Sequence, residues 1–294
     1  MNLFIREFSQ IHCYINACKP NRPSLNAVAT SSPVFRTKPI GQLFFVTLFS
    51  LTCIVPNLFA QTSKQIEQYQ QIWYVYQNTL QLNKKWGIVS DLQERHFISP
   101  FAQHQVLIRI QSVYNLGSGW EGGLGMAAFG AAQNDPNVTP RLTVPELRPF
   151  LGLSLKQKTA IGTVSHRYKA EARFFHNTAN GELANGYTFG NFRVRYQLGI
   201  EIPLIKSTKK QRDILSLKIS DEVHVNLGKK IVHNVFDQNR VYVGFLCKIL
   251  PELSAEAGYL NWFQARPTGG EFYERHVFRL GVAHKIALKE RKRD

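Results

Sequence analysis

Side chains that could carry nucleophilic or acid–base chemistry are scattered along the chain. Ser165 and His166 are adjacent, but on an extended strand adjacent side chains point to opposite faces, so these two cannot form a dyad. A serine from elsewhere could instead pair with a histidine near the end of a predicted strand or in a loop. The histidines in such positions are His96, His104, His176 and His233. The chain has no G-x-S-x-G motif, no H-E-x-x-H motif and no zinc spacing. We therefore predict no catalytic residue, no metal and no cofactor.

Charged side chains follow a two-residue period, and this pattern is much stronger. From Thr163 to Arg173 the odd positions are polar or charged, among them Arg167 and Glu171, while most even positions between 163 and 175 are apolar. Residues 192–202 and 214–227 repeat the alternation. In a β-strand this period places the charges on one face and the apolar side chains on the other.

The elements that must position these charges are long strands, since no stretch of the chain after residue 61 shows a convincing helical period. Strands of about 11 to 15 residues exceed those of a soluble sandwich and suffice to cross a bilayer at a tilt. A soluble sandwich is the alternative. The predicted strands are 70–82, 86–97, 103–116, 120–132, 143–155, 161–176, 188–202, 213–227, 238–250, 253–264 and 276–288.

We therefore predict an all-β fold, an antiparallel transmembrane β-barrel of ten to twelve strands. Eleven segments are visible, but single-chain bacterial barrels have an even number, so twelve is preferred. Either one strand is missed, two are merged, or the segment 61–69 enters by another path. Trp73, Trp86, Trp120 and Trp262 lie near strand ends, which is typical of the aromatic girdles at a membrane interface.

Connection lengths support the barrel independently. Short turns alternate with longer polar loops, as in outer-membrane barrels with short periplasmic turns and long outer loops. The short turns are predicted at 83–85, 117–119, 156–160 and 250–253, and the longer loops at 98–102, 133–142, 177–187, 228–238 and 264–275.

The polar face of such a barrel would line its lumen. The lumen-facing candidates are Arg109, Glu146, Arg148, Arg167, Glu171, Arg173, Arg193, Arg195, Glu201, Glu222, Arg240 and Arg279. Two interpretations stay open at this point. The charges could form a packed ladder of mutually satisfied pairs, or they could line a narrow water path whose excess positive charge favours anions.

The N-terminal region has the composition of an export signal. Arg36 and Lys38 precede the apolar stretch 41–60, which ends at Ala60, so residues 36–60 are predicted to be a cleaved signal peptide. A membrane anchor is the alternative. Residues 1–35 form an unexplained extension, which an overextended start would account for. Residues 61–288 are predicted to form the barrel and residues 289–294 a basic tail.

Net charge and cysteine positions exclude two classes of protein. The chain has a net charge of +16, but its basic residues are spread over many short segments without a basic stripe, so we predict no nucleic-acid partner. Three of the four cysteines precede residue 61 and only Cys247 follows it. A chain that begins at residue 61 therefore has no internal disulfide, and Cys247 in its alternating apolar run is expected to be a small lipid-facing or buried hydrophobe.

Three segments resemble a known family: PELRPFLGL at 145–153, HRYKAEARF at 166–174 and FDQNRVYVGFLCKILPELSAEAGYLNWF at 236–263. They are similar to the DUF2490 group of uncharacterised bacterial outer-membrane proteins, and the resemblance covers about residues 61–288. Lys169 and Ala172 stand where the family pattern has Arg and Gln. The resemblance implies a β-barrel in the outer membrane of a Gram-negative bacterium and no established activity.

These observations predict a barrel of unknown specific function, a narrow channel or a structural barrel. A lipid-modifying hydrolase or acyltransferase of the same membrane is the alternative from another class. The expected partners are outer-membrane lipid, the barrel-assembly machinery during insertion, and a small solute or anion if the lumen is open.

Overall fold

The computed structural model describes residues 64–207, 212–229 and 231–288. The predicted extension at 1–35, signal peptide at 36–60 and tail at 289–294 lie outside these residues. Within the described part of the chain, no helix is long and apolar enough to cross a membrane. The strands are β1 (Gln65–Gln81), β2 (Trp86–Phe97), β3 (Ala102–Gly117), β4 (Trp120–Ala131), β5 (Val144–Lys158), β6 (Thr163–Ala179), β7 (Glu182–Ser207), β8 (Arg212–Leu227), β9 (Phe236–Lys248), β10 (Leu253–Ala265) and β11 (Glu271–Ala287).

The strands form one closed barrel in which every strand pairs with its neighbours in sequence. Consecutive strands are antiparallel, while β1 and β11 close the barrel in parallel, from Gln65 beside Glu271 to Gln81 beside Ala287. A closed ring of alternating strands with an odd number of members must contain one such parallel pair. The predicted all-β barrel of ten to twelve strands is confirmed. The number in the described residues is eleven rather than the preferred twelve, and β1 takes in most of the segment 61–69.

The two rims differ in their connections. The loop rim carries the start of β1 and the connections 98–101, 132–143, 180–181, 228–235 and 266–270. The turn rim carries the connections 82–85, 118–119, 159–162 and 249–252, the end of β7, the start of β8 and the end of β11. The connections 132–143, 228–235 and 266–270 are longer, as the sequence pattern predicts, whereas 98–101 is no longer than most connections of the turn rim, and one further position departs clearly from the pattern.

That position is the hairpin between β6 and β7, where the predicted loop at 177–187 is wrong. The strands continue pairing as far as Ala179 beside Glu182, which leaves a two-residue turn. Asn180 and Gly181 both have positive φ angles, 51° and 79°, as the tight hairpin turn that matches strand twist requires. The polar composition of this stretch reflects a hairpin that projects at the loop rim, and not a loop.

Burial is the reverse of that in a soluble sandwich. Large apolar side chains of the outer face are exposed, such as Ile108, Leu151 and Phe278, while charged side chains of the inner face are buried, such as Glu171 and Arg193. The apolar alternate positions therefore face outwards, and the interior of the barrel is polar. This arrangement matches barrels that are surrounded by lipid.

Two tryptophans depart from the predicted girdles. Trp86 is exposed and Trp120 is half-buried, but Trp73 and Trp262 are buried with Tyr242, Leu260 and Val277 inside the barrel. Strand phase explains the difference. In β1 and β10 these two side chains alternate with outward neighbours, so their parity places them on the inner face whatever their distance from the strand end.

Candidate functional site

The inner face encloses a cavity of about 800 Å³. Its lining extends from Asn134 and Gln264 near the loop rim to Lys156 and Thr163 beside the turn rim, so it follows most of the barrel length. Eleven Arg or Lys residues and five Asp or Glu residues line it. The cavity wall therefore carries a clear excess of positive charge.

The structure brings the lumen-facing candidates together in this interior. Eleven of the twelve line the cavity: Arg109, Glu146, Arg148, Arg167, Arg173, Arg193, Arg195, Glu201, Glu222, Arg240 and Arg279. Glu171 does not line the cavity, but it is buried and accepts a hydrogen bond from Arg195. Ion pairs connect many of these side chains into what we call the paired network.

Arg195 is the centre of the paired network. Its guanidinium nitrogens lie 2.7 Å from Glu171 and 2.8 Å from Glu222. Glu222 also lies 2.9 Å from Arg167 and 3.1 Å from the Nε2 atom of His224. The strand register produces this arrangement, because Gln197 pairs with Glu222 and Lys169 pairs with Arg195, so charges on three adjacent strands meet on one face.

Glu146 and Asp237 anchor the network nearer the loop rim. Glu146 accepts hydrogen bonds from Arg148 at 2.6 Å and from Arg173 at 2.5 Å. Asp237 lies 3.0 Å from Arg193. Asp237 stands at a register shift of β9, since His224 pairs with Gln238 and Val225 with Phe236, and this irregularity turns its carboxylate inwards.

Further pairs complete the network towards the turn rim. Arg109 lies 2.7 Å from Asp91, and Glu256 contacts both Lys218 and Arg279. Glu201 lines the cavity at the same end and has no ion pair among the described residues. Buried arginines in this network are thus matched by carboxylates.

A second group of interior side chains has a different composition. The Trp–Arg cluster consists of Trp73, Trp262, Arg95, Arg240 and Arg275. The guanidinium carbon of Arg95 lies 3.8 Å from the ring centre of Trp73, and those of Arg275 and Arg240 lie 4.3 Å and 4.7 Å from that of Trp262. The two indole rings meet edge to face with centres 5.5 Å apart. Cation–π contacts therefore hold three guanidinium groups around one aromatic pair.

The hydrogen bonds of these three arginines go to amide oxygens. Arg95 donates to Gln93 and Gln105, both at 2.7 Å. Arg275 donates to Gln264 and Asn134, both at 2.9 Å, and Arg240 donates to Gln238 at 3.2 Å. Among the described residues, no carboxylate lies within ion-pair distance of any of the three.

Some interior residues escaped the sequence interpretation. Asp237 and Arg275 fell in segments assigned to loops, and Arg95, Asp91 and Lys169 were not among the lumen candidates although strand parity places them on the inner face. For Asp91, Arg95 and Lys169 the signal was present in the sequence, because the same two-residue alternation that marked the other lumen candidates also places these three on the inner face. For Asp237 no signal in the sequence marks the register shift.

The histidines do not form a nucleophile–base pair in the described residues. His104 is buried and contacts Gln71 at 2.9 Å and Asn134 at 3.2 Å. His166 contacts the Tyr196 hydroxyl at 2.9 Å, while Ser165 lines the cavity on the other face of the strand. The described residues contain no cluster of three or more His, Cys, Asp or Glu side chains that could hold a metal.

The fold and the interior define the class of protein, a closed β-barrel that is antiparallel except at the β1–β11 pair, with an apolar outer face and a charged interior. The family model described as a protein of unknown function, DUF2490, matches residues 70–273. The chain belongs to this family, and the resemblance seen in its sequence is confirmed. Among solved structures, the chain is similar to a NanC porin at 10% identity and a TM-score of 0.44, over 74% of this chain and 99% of the porin chain. No curated protein matches it significantly.

Proposed function

We propose that the protein is an outer-membrane β-barrel of a Gram-negative bacterium whose narrow lumen admits anions. The observation that carries the proposal is the cavity, which runs along the barrel and is lined by eleven basic and five acidic side chains. A pore lined by excess positive charge attracts anions and repels cations.

The outer face supports the membrane part of the proposal. Exposed apolar side chains such as Ile110, Leu124 and Phe245 lie on strands of 12 residues or more, and the closed ladder leaves no strand edge unpaired. A closed barrel is one of the two ways in which a chain can satisfy its backbone hydrogen bonds in lipid. Outer-membrane lipid and the barrel-assembly machinery are the partners that such a barrel requires.

A structural barrel is the second candidate, and the paired network favours it. Arg195, Glu171 and Glu222 are buried in mutual contact, as in a packed ladder without a water path. No specific contact in the described residues favours the lipid-modifying enzyme, since no histidine ring hydrogen-bonds a serine hydroxyl.

Conductance measurements test the anion path. The purified full chain is inserted into a planar bilayer with a KCl gradient, and we expect discrete steps with a reversal potential on the anion side. Gln197→Glu adds a negative charge to the cavity lining with little change in shape, so it should shift the reversal potential towards cation preference. Lys84→Gln, in an exposed turn, is the matched control and should leave selectivity unchanged.

Three results would contradict the anion path. Cation-selective steps would exclude the assigned polarity, and an unshifted potential in Gln197→Glu would exclude conduction through this cavity. A correctly folded barrel that shows no steps would favour the structural barrel instead.

A further inference from the structure

The three arginines of the Trp–Arg cluster make no ion pair with a carboxylate among the described residues. We propose that this cluster binds an oxyanion, the carboxylate or phosphoryl group of a solute that enters the lumen. The inference rests on the proposed function in that the solute must reach the lumen from water.

Charge is the first step of the argument. Arg95, Arg240 and Arg275 gather around two indole rings, and their described hydrogen-bond partners are neutral amides. Buried guanidinium groups without a counter-ion repel one another and lose their hydration. An anion placed among them relieves both effects.

Unpartnered donors are the second step. The Nε atoms of Arg95 and Arg275 and the Nε1 atom of Trp262 are buried without a hydrogen-bond partner. Their side chains are 3%, 0% and 2% exposed, respectively. The terminal nitrogens of Arg240 likewise make no hydrogen bond among the described residues. These groups only donate, and a carboxylate or phosphoryl oxygen only accepts when ionised, so the two are complementary.

Access is the third step. Arg95, Arg240, Trp73 and Trp262 line the cavity, whereas Arg275 does not. A solute in the lumen can therefore contact Arg240 and Trp262 directly, while Arg275, 4.3 Å from the centre of the Trp262 ring, contributes its charge from outside the lining. Asn134, from the β4–β5 connection, also lines the cavity beside the cluster, so the site lies close to the loop rim.

Tryptophan fluorescence provides a local measurement, because two of the four tryptophans belong to the site. The full chain in detergent at low chloride is titrated with citrate, with inorganic phosphate and with glycerol as the neutral solute. We expect saturable changes with citrate, phosphate or both, and none with glycerol. Tighter binding of citrate would identify a carboxylate ligand, and tighter binding of phosphate would identify a phosphoryl ligand. Binding of neither anion would overturn the proposal.

Variants assign the binding to the cluster. Arg240→Gln should weaken binding about tenfold or more, and Arg240→Lys should recover part of the loss, since it keeps the charge but not the two-pronged geometry. Trp262→Phe removes one donor and keeps an aromatic face, so it should weaken binding several-fold. Lys84→Gln serves as the control with unchanged affinity. Far-ultraviolet circular dichroism and the mobility of unboiled samples confirm folding of each variant.

The proposal is overturned if folded Arg240→Gln and Trp262→Phe both bind the anion as tightly as the unaltered chain. Saturable binding in detergent combined with silent bilayers would support the site and reject the conducting lumen. Anion-selective conductance without saturable binding would support the conducting lumen and reject the site. The two proposals can therefore fail separately.

Discussion

The barrel interior holds two groups of buried arginines that achieve stability in different ways. In the paired network, Arg195 contacts the carboxylates of Glu171 and Glu222 directly. In the Trp–Arg cluster, Arg95 and Arg275 contact aromatic faces and amide oxygens and have no described carboxylate partner. Both groups lie on the inner face of the same barrel.

The arginines of the paired network stabilise the fold through ion pairs, whereas those of the Trp–Arg cluster keep their charge available to a ligand. Removing one member of a buried ion pair leaves the other uncompensated, which is costly. Removing one member of a group of like charges instead reduces repulsion. The two regions should therefore respond in opposite directions to the same chemical substitution.

The largest effect is expected for Arg195→Gln in the paired network. The change leaves Glu171 without its ion-pair partner and removes one of the partners of Glu222, so the free energy of unfolding should fall by about 3–5 kcal/mol. Urea or heat unfolding of the barrel in detergent measures it. The double variant Arg195→Gln/Glu171→Gln should recover part of the loss, and equal stability of Arg195→Gln and the unaltered chain would show that the network is solvated.

Gly244→Ala should have an intermediate effect next to the Trp–Arg cluster. Gly244 pairs with Gly258 across β9 and β10, and the Tyr242 hydroxyl lies over both, so that a Cβ atom at residue 244 would be 2.2 Å from it. Displacing this buried ring should cost about 1–3 kcal/mol. Gly122→Ala, whose Cβ atom would meet nothing closer than 3.4 Å, is the matched control, and an equal change in both variants would contradict close packing at Tyr242.

Arg240→Gln should leave the free energy of unfolding unchanged or raise it by less than about 1 kcal/mol, because it removes a like charge and no ion pair. The same unfolding assay applies. Arg193→Gln, which loses the 3.0 Å pair with Asp237, is the comparison and should be clearly destabilised. A loss in Arg240→Gln as large as in Arg193→Gln would mean that the two regions do not differ.

Cysteine labelling tests the shared inner face with the smallest effect on stability. In a Cys247→Ser background, Leu217→Cys should react with a membrane-permeant apolar maleimide and resist a charged one. Gln197→Cys, in the cavity lining, should react with the charged reagent from water. Reversed reactivity would show that the assigned strand phase is wrong by one residue, and that both groups of arginines lie on the outer face.

Local pattern was sufficient to predict most of the barrel. The strand β2 was predicted with its observed bounds, 86–97, and the others with ends displaced by a few residues, except where β7 and β11 extend into predicted loops. Loops were inferred from polar composition, and a projecting hairpin is as polar as a loop. The parallel closure of β1 on β11 depends on contacts between the chain's two ends, which no local period encodes.

In the interior, too, the local pattern predicted the face of a residue but not its contacts with other strands. Arg195, Glu171 and Glu222 were named as inward charges, because parity alone determines the face of a strand residue. Their partners were not predicted, since pairing depends on the register between strands. Trp73 and Trp262 were assigned to interfacial girdles from their place near strand ends, although parity puts them inside.

What the sequence by itself determined is the all-β class, the face on which most strand residues lie, and the excess of positive charge on the inner face, because all three follow from a two-residue period along one strand. What only the tertiary structure decided is which arginines meet a carboxylate and which do not. Both Arg195 and Arg240 were named as inward charges, and nothing in the segment around either one tells whether it meets a carboxylate. Glu222 pairs in register with Gln197 and with Arg240, yet its carboxylate meets Arg195, while the Arg240 guanidinium lies over the Trp262 ring. Which charges meet thus depends on how several strands pair and pack, and not on any single segment.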